Sequence, residues 1–365
     1  MSKREWREAE ELAARGRWGE AGAKYAAIVE RARRVRDTAG VRQAAALAAD
    51  AYRRDDRPAL SAKMLLYARE AGRDEVADAA QLAAVLQEAG QVTAAVDITA
   101  TAMEKATDPV GRTVALDTLA GLYLTSGRVE DARRCVDALE SLALPGATMA
   151  RRFRAAQLDR LDGLVARAEK GWEDLGKEMS AWPQAVGPEG ACWGELAELD
   201  LIRASFAADP APLCARAIER FTRAGTCWAR AGRRAGALRA EAWALRAQAA
   251  AGETVLPTGI DRAISFADDR GMPLLSADLR VCRAVVTGDA DEVLHALDRL
   301  EEAPLARGRA RVVRAELGGA ADLERALEEL TSDGPWTARA LRALGKSTGD
   351  EALLREAAER AASWG

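Results

Sequence analysis

Thr118–Pro145, TLAGLYLTSGRVEDARRCVDALESLALP, reads as two short amphipathic helices joined by a tight turn at Ser126-Gly127-Arg128. The first helix turns Leu119, Ala120 and Tyr123 to one side. The second offers Val129, Ala132, Val136 and Leu139 at i, i+3, i+7 and i+10, one face of a 3.6-residue period. Small Ala120 and Ala132 let the two helices approach closely, and Pro145 stops the unit. A lone hairpin of this kind cannot bury its apolar face, so its stability requires neighbours of the same kind.

The frame recurs along the chain. Toward the N-terminus, Ala9 and Leu12 precede Gly16, and Trp18, Ala21, Tyr25 and Ile28 follow it. Ala49 and Tyr52 lead to a turn at Asp56, then Pro58, Ser61, Leu65 and Ala68. Pro58 is compatible with a helix because it falls in the first turn, where an N–H has no partner. Ala83 and Leu86 precede Gly90, followed by Val92, Ala95, Thr99 and Ala102. A looser copy around Gly163 carries Leu158, Val165, Ala168, Trp172 and Leu175. Further pairs are expected around Asp209-Pro210, from Gly252 to Gly259, and at Gly288, Gly318-Gly319 and Gly349. The sequence therefore divides into about five hairpins over 1–179, a segment over 180–194, and about five more degenerate hairpins over 195–365. The middle segment, SAWPQAVGPEGACWG, has two prolines, three glycines and two tryptophans, and is expected as an irregular loop packed back on its neighbours.

Composition agrees with an all-α fold. Of 365 residues 49% are apolar but only 5% aromatic, and much of the apolar share is alanine, the best helix former. Period-2 strand patterns are scarce. With 53 basic and 57 acidic residues the net charge is −4, which argues against nucleic acid or an acidic membrane as partner. The charged N-terminal stretch and the lack of a long apolar run lead to the expectation of a cytoplasmic protein. Dispersed Cys135, Cys192, Cys214, Cys227 and Cys282, with a single His295, form no zinc pattern and suit a reducing compartment. Arginine-dominated basic residues and the absence of asparagine point to a GC-rich bacterial gene.

The order Leu119-Ala120-x2-Tyr123, then Gly127, then Ala132-x3-Val136, then Pro145 resembles the tetratricopeptide repeat (TPR) pattern W-x2-L-G-x2-Y…A-x3-F…P. The resemblance implies a right-handed α-α superhelix, a solenoid of about ten TPR-like hairpins. It also implies a concave groove lined by the first helix of each hairpin, which takes a protein or peptide partner, with no catalytic machinery, cofactor or metal. Groove candidates projected from the turn marker are Lys3, Trp6, Asp50, Arg53, Asp117, Phe153, Gln157, Arg160, Arg203, Arg239 and Arg246. The arginines between the fifth and seventh hairpins suit an acidic peptide or, alternatively, pair with carboxylates one turn away. The leading expectation is a scaffold or adaptor in a larger assembly. Its rivals are a peptide-responsive sensor acting on a separate effector and a helical enzyme. The terminal repeats are a further candidate surface for homo-oligomers. Phosphate-loop, nucleophile-elbow and metalloprotease motifs are missing from the sequence.

Overall fold

The computed structural model describes residues 3–72, 76–319 and 322–364, and within them every regular element is helical. The first five hairpins are α1–α2 (Lys3–Ala14, Trp18–Arg34), α3–α4 (Thr38–Arg54, Pro58–Glu70), α5–α6 (Val76–Glu88, Val92–Lys105), α7–α8 (Pro109–Thr125, Val129–Glu140) and α9–α10 (Pro145–Leu161, Val165–Ser180). Five more follow: α11–α12 (Val186–Ala204, Ala211–Arg230), α13–α14 (Arg234–Ala250, Thr258–Asp269), α15–α16 (Pro273–Thr287, Glu292–Leu297), α17–α18 (Pro304–Glu316, Leu323–Glu329) and α19–α20 (Gly334–Thr348, Glu351–Ala362). The architecture is an all-α solenoid of ten hairpins whose helices pack in chain order.

The periodic positions read from the sequence form its core. In the α7–α8 hairpin Leu119, Ala120, Val129, Ala132, Val136 and Leu139 are all buried. Gly127 makes the turn at φ +73°, a conformation that penalises any residue with a Cβ. Asp56 does the same duty at φ 54°, as one of the few non-glycine types that visit this region. Proline opens α4, α7, α9, α15 and α17, where its missing N–H goes unneeded.

Residues 180–194 depart from the expected loop. After a short 3-10 turn at Pro183–Ala185, the chain is α-helical from Val186 onward. Pro188 sits in the first turn of α11, where it breaks no hydrogen bond. Gly190 is there for proximity. A Cβ on it would lie 3.0 Å from the Cys227 side chain and 3.3 Å from the Ala224 carbonyl, so glycine lets α11 and α12 pack backbone to backbone. Trp193 is buried, and its Nε1 donates to Glu189 at 3.2 Å.

Packing extends beyond nearest neighbours. α5 meets α15, α7 meets α17 and α9 meets α19, so each of these hairpins touches the one five places further on. The turn of the earlier hairpin sits on the start of the later one. Pro273 occupies the space beside Gly90, 2.8 Å from where a Cβ would stand, and Pro304 lies 3.1 Å from the same point at Gly127. At the next pair Gly334 packs on the backbone of Gly163. Polar bonds line the same seam: Thr93 N donates to Glu302 at 2.7 Å, Arg233 to Glu88 at 3.0 Å, and Arg270 to the Asp55 carbonyl at 3.2 Å. Leu305 of α17 even joins the apolar core of the first five hairpins. The superhelix therefore completes a turn in five hairpins, and its second turn rests on its first.

Candidate functional site

The first helices of the hairpins present an inner face, and corresponding positions on successive first helices are joined by side-chain hydrogen bonds. Gln87 donates to Thr125 at 2.9 Å, Arg154 to Asp117 at 2.7 Å, Gln157 to Glu195 at 2.7 Å, Arg160 to Glu198 at 2.9 Å and Arg239 to Asp278 at 2.7 Å. The partners are 37 to 39 residues apart, one repeat length. This polar ladder runs along the first helices of successive hairpins.

The groove candidates separate along it. In the first turn Trp6 is half-buried with its ring edge-on to Tyr25 at 5.8 Å. Asp50 accepts from Arg53 and Arg54, both at 2.8 Å, and Arg53 stays exposed. Asp117, Phe153 and Gln157 are partly exposed, with Phe153 tilted against Trp172 at 6.4 Å. The side chain of Lys3 lies outside the described residues. Arg203 pairs with Glu169 and also donates to the Trp364 carbonyl at 3.3 Å. Arg239 is exposed but tied to Asp278, whose charge holds its guanidinium protonated well above the ordinary range.

Arg160 and Arg246, projected as exposed groove residues, are buried. The inner face closes where the sixth hairpin meets the ninth and tenth. Glu198 of α11 accepts from Arg160 at 2.9 Å and from Arg309 of α17 at 3.1 Å, with Trp336 of α19 donating at 3.4 Å. Burial works against the Glu198 charge, yet Arg309 and Arg160 together keep its carboxyl well below the usual range. Arg309 also holds Asp333, which is fully buried. Arg246 lies over the Trp243 ring at 4.5 Å. The carboxylates that pair Arg160, Arg203 and Arg239 thus come from the adjacent hairpin and not from one helical turn away.

α11 is the hub of this closure. Besides Glu198 it buries Glu189, which also accepts from Arg223 at 2.9 Å, and Asp200, which accepts from Arg216 at 2.9 Å and Arg220 at 2.8 Å. Sequence reasoning named none of these three acids. For Glu198 and Asp200 the signal was present in ELAELDLIRA, Glu195 to Ala204, where acids interrupt a helix otherwise rich in Leu, Ile and Ala.

Other residues singled out in the sequence are spent on structure. Arg307 and Arg311 share Glu329, and Arg314 reaches Asp291, so the run from Arg307 to Arg314 faces protein carboxylates. Trp336 is buried, and Trp364 is buried edge-on to Phe206 at 5.2 Å. All five cysteines are buried and free. Burial pushes Cys135 up to about 11 and Cys192 and Cys282 up to about 12, which keeps them as unreactive thiols near neutral pH. His295 is exposed on α16. Among the described residues no group of three or more His, Cys, Asp or Glu is arranged to hold a metal ion. Among the described residues no helix is long and apolar enough to cross a membrane. Two open surface cavities accompany the seam. One of about 370 Å³ is lined by Arg234, Arg262, Phe266 and Arg270, and one of about 360 Å³ by Gly127, Pro304 and Glu329.

Fold and groove together define the class, an α-helical repeat protein. No protein-family model and no curated protein matches the chain. A solved structure described as "Circular tandem repeat protein with novel repeat topology and enhanced subunit contact surfaces" aligns over 97% of this chain and 91% of its own. Its identity is 18% and the TM-score 0.21, an overlap that adds nothing to the helix packing described above.

Proposed function

We propose that the chain is a non-catalytic scaffold of degenerate TPR type, acting as an adaptor that takes a segment of a protein partner on the inner face of its first turn. The observation that carries this reading is the contrast in exposure along the groove. Around the sixth hairpin the inner side chains are consumed by ion pairs within the protein, whereas in the first turn anchor-type residues stay open. Leu47 and Val114 remain more than a third exposed, each one helical turn before a groove acid, Asp50 and Asp117. With Trp6, Arg53 and Phe153 they give a mixed apolar and charged track, which suits a peptide segment better than a small metabolite. The five thiols suit a reducing cytoplasm, and the composition a bacterial source.

The test is affinity purification with mass spectrometry, comparing the wild type with the double variant Leu47→Asp, Arg53→Glu. Both sites are exposed, so the helical signal should be unchanged. Loss of a co-purifying protein in the variant supports the reading. Equal recovery of every partner by the two forms sinks it.

A further inference from the structure

The seam between the two turns has a repeating form: the turn of one hairpin seats on the start of the hairpin five places later. Across the described hairpins the seam uses one set of turns and one set of starts and leaves others open. Among the described residues the turns of the seventh, eighth and tenth hairpins face solvent, as do the starts of the second, fourth and fifth. The glycines show the difference. Gly90 and Gly127 meet Pro273 and Pro304, whereas Gly252, Gly288, Gly318 and Gly349 are exposed with nothing within 4 Å of where a Cβ would stand. The prolines show it from the other side. Pro273 and Pro304 are partly covered, while Pro109 and Pro145, at the same first position of α7 and α9, are exposed.

From this we propose that a second copy of the chain stacks on the first and continues the screw, later hairpins of one copy seating early hairpins of the next. Among the described residues the three most exposed large apolar side chains are Leu256 at 74%, Val35 at 71% and Val110 at 63%. All three lie on the two free edges. Leu256 is in the turn of the seventh hairpin, Val35 caps α2 just before α3, and Val110 is the second residue of α7. A single exposed apolar side chain is ordinary on a protein surface, so the weight falls on where these three sit along the two edges.

The register of the seam also pairs them. A step of five places the turn of the seventh hairpin on the start of the next copy's second hairpin, which sets Leu256 against Val35. Charge agrees with that pairing. Exposed Arg34 and Arg36 flank Val35, and exposed Glu253 precedes Leu256. None of the three has an opposite charge within 4 Å among the described residues. The contact is heterologous, one edge meeting a different edge, so it propagates as an open-ended stack instead of closing as a two-fold dimer. It uses the rims of the superhelix and leaves the groove free, so it stands or falls apart from the partner reading above.

Sedimentation equilibrium tests it with Val35→Glu and Leu256→Glu, both at sites too exposed to disturb folding. The wild type should gain mass with concentration, starting from 39.0 kDa and passing the dimer without a plateau. Each variant alone should stay at 39.0 kDa. Mixed together, the two variants should form a species of twice that mass and none larger, because each retains one intact edge and the two intact edges are complementary. A wild type that remains at 39.0 kDa at every concentration reached overturns the proposal. So do variants that assemble as the wild type does, or a folded mixture that never pairs.

Discussion

The α7–α8 and α11–α12 hairpins differ in kind: one obeys the repeat pattern and the other breaks it. α7 and α8 bury one apolar face each and leave charged residues in water, so Arg128–Asp131 and Arg134–Asp131 are surface pairs. α11 is buried on nearly every side, and its carboxylates Glu189, Glu198 and Asp200 are partnered by arginines from α9, α12 and α17. The first hairpin shows how a repeat is built. The second shows how a row of repeats is wound tightly enough to close on itself, and that step depends on charge.

The sharpest way to break the comparison is Glu198→Ala, which leaves Arg160 and Arg309 facing each other without their shared carboxylate. Stability should fall by about 3–5 kcal/mol in urea titrations, as expected when one partner of a buried ion pair is removed. Next in size is a pair of turn glycines. Gly90→Ala adds a Cβ against Pro273 as well as left-handed strain, and should cost about 2–4 kcal/mol, whereas Gly252→Ala meets open space and should cost about 1 kcal/mol. Equal losses at the two glycines would mean that the seam does not hold in solution.

A smaller effect is expected at Asp56, which feels Glu88 of the adjacent hairpin and Arg233, Arg234 and Arg270 across the seam. Burial, then the Glu88 charge, raises its carboxyl to about 6. A raised carboxyl favours the protonated form in the folded state, so its ionisation subtracts stability as pH climbs from about 4 to 6. Asp56→Asn, which also tolerates a positive φ, should therefore gain about 1 kcal/mol at pH 7.5 after allowance for solvent screening, and nothing below pH 4. Smallest of all, Arg134→Ala on the surface of α8 should change stability by less than about 0.5 kcal/mol.

Much of the fold was legible because turn chemistry and helical period are local. Gly16, Asp56, Gly90, Gly127 and Gly163 all mark real left-handed turns, and Ala21, Tyr25, Leu65, Ala95 and Trp172 all fall in the core where the frame put them. Residues 180–194 misled because glycine and proline carry two meanings. Gly190 serves helix contact and Pro188 a helix start, and neither ends a helix here. The groove was legible only as a set of positions. Arg160 and Arg246 lie on the expected helices, but their burial is decided by carboxylates and rings supplied through the winding, and no local pattern encodes a step of five hairpins.

That step also changes how the molecule should come apart. In a simple array each repeat is held by its two neighbours, so stability adds up along a line and the ends fray first. Here Pro273 on Gly90, Pro304 on Gly127 and Gly334 on Gly163 add a rung between coils. The line becomes a small cylinder, in which losing one hairpin loosens others that are distant in sequence. Unfolding should then be closer to all-or-none than twenty short helices in a row would suggest, with slow amide exchange reaching its maximum around α11, where the two coils meet.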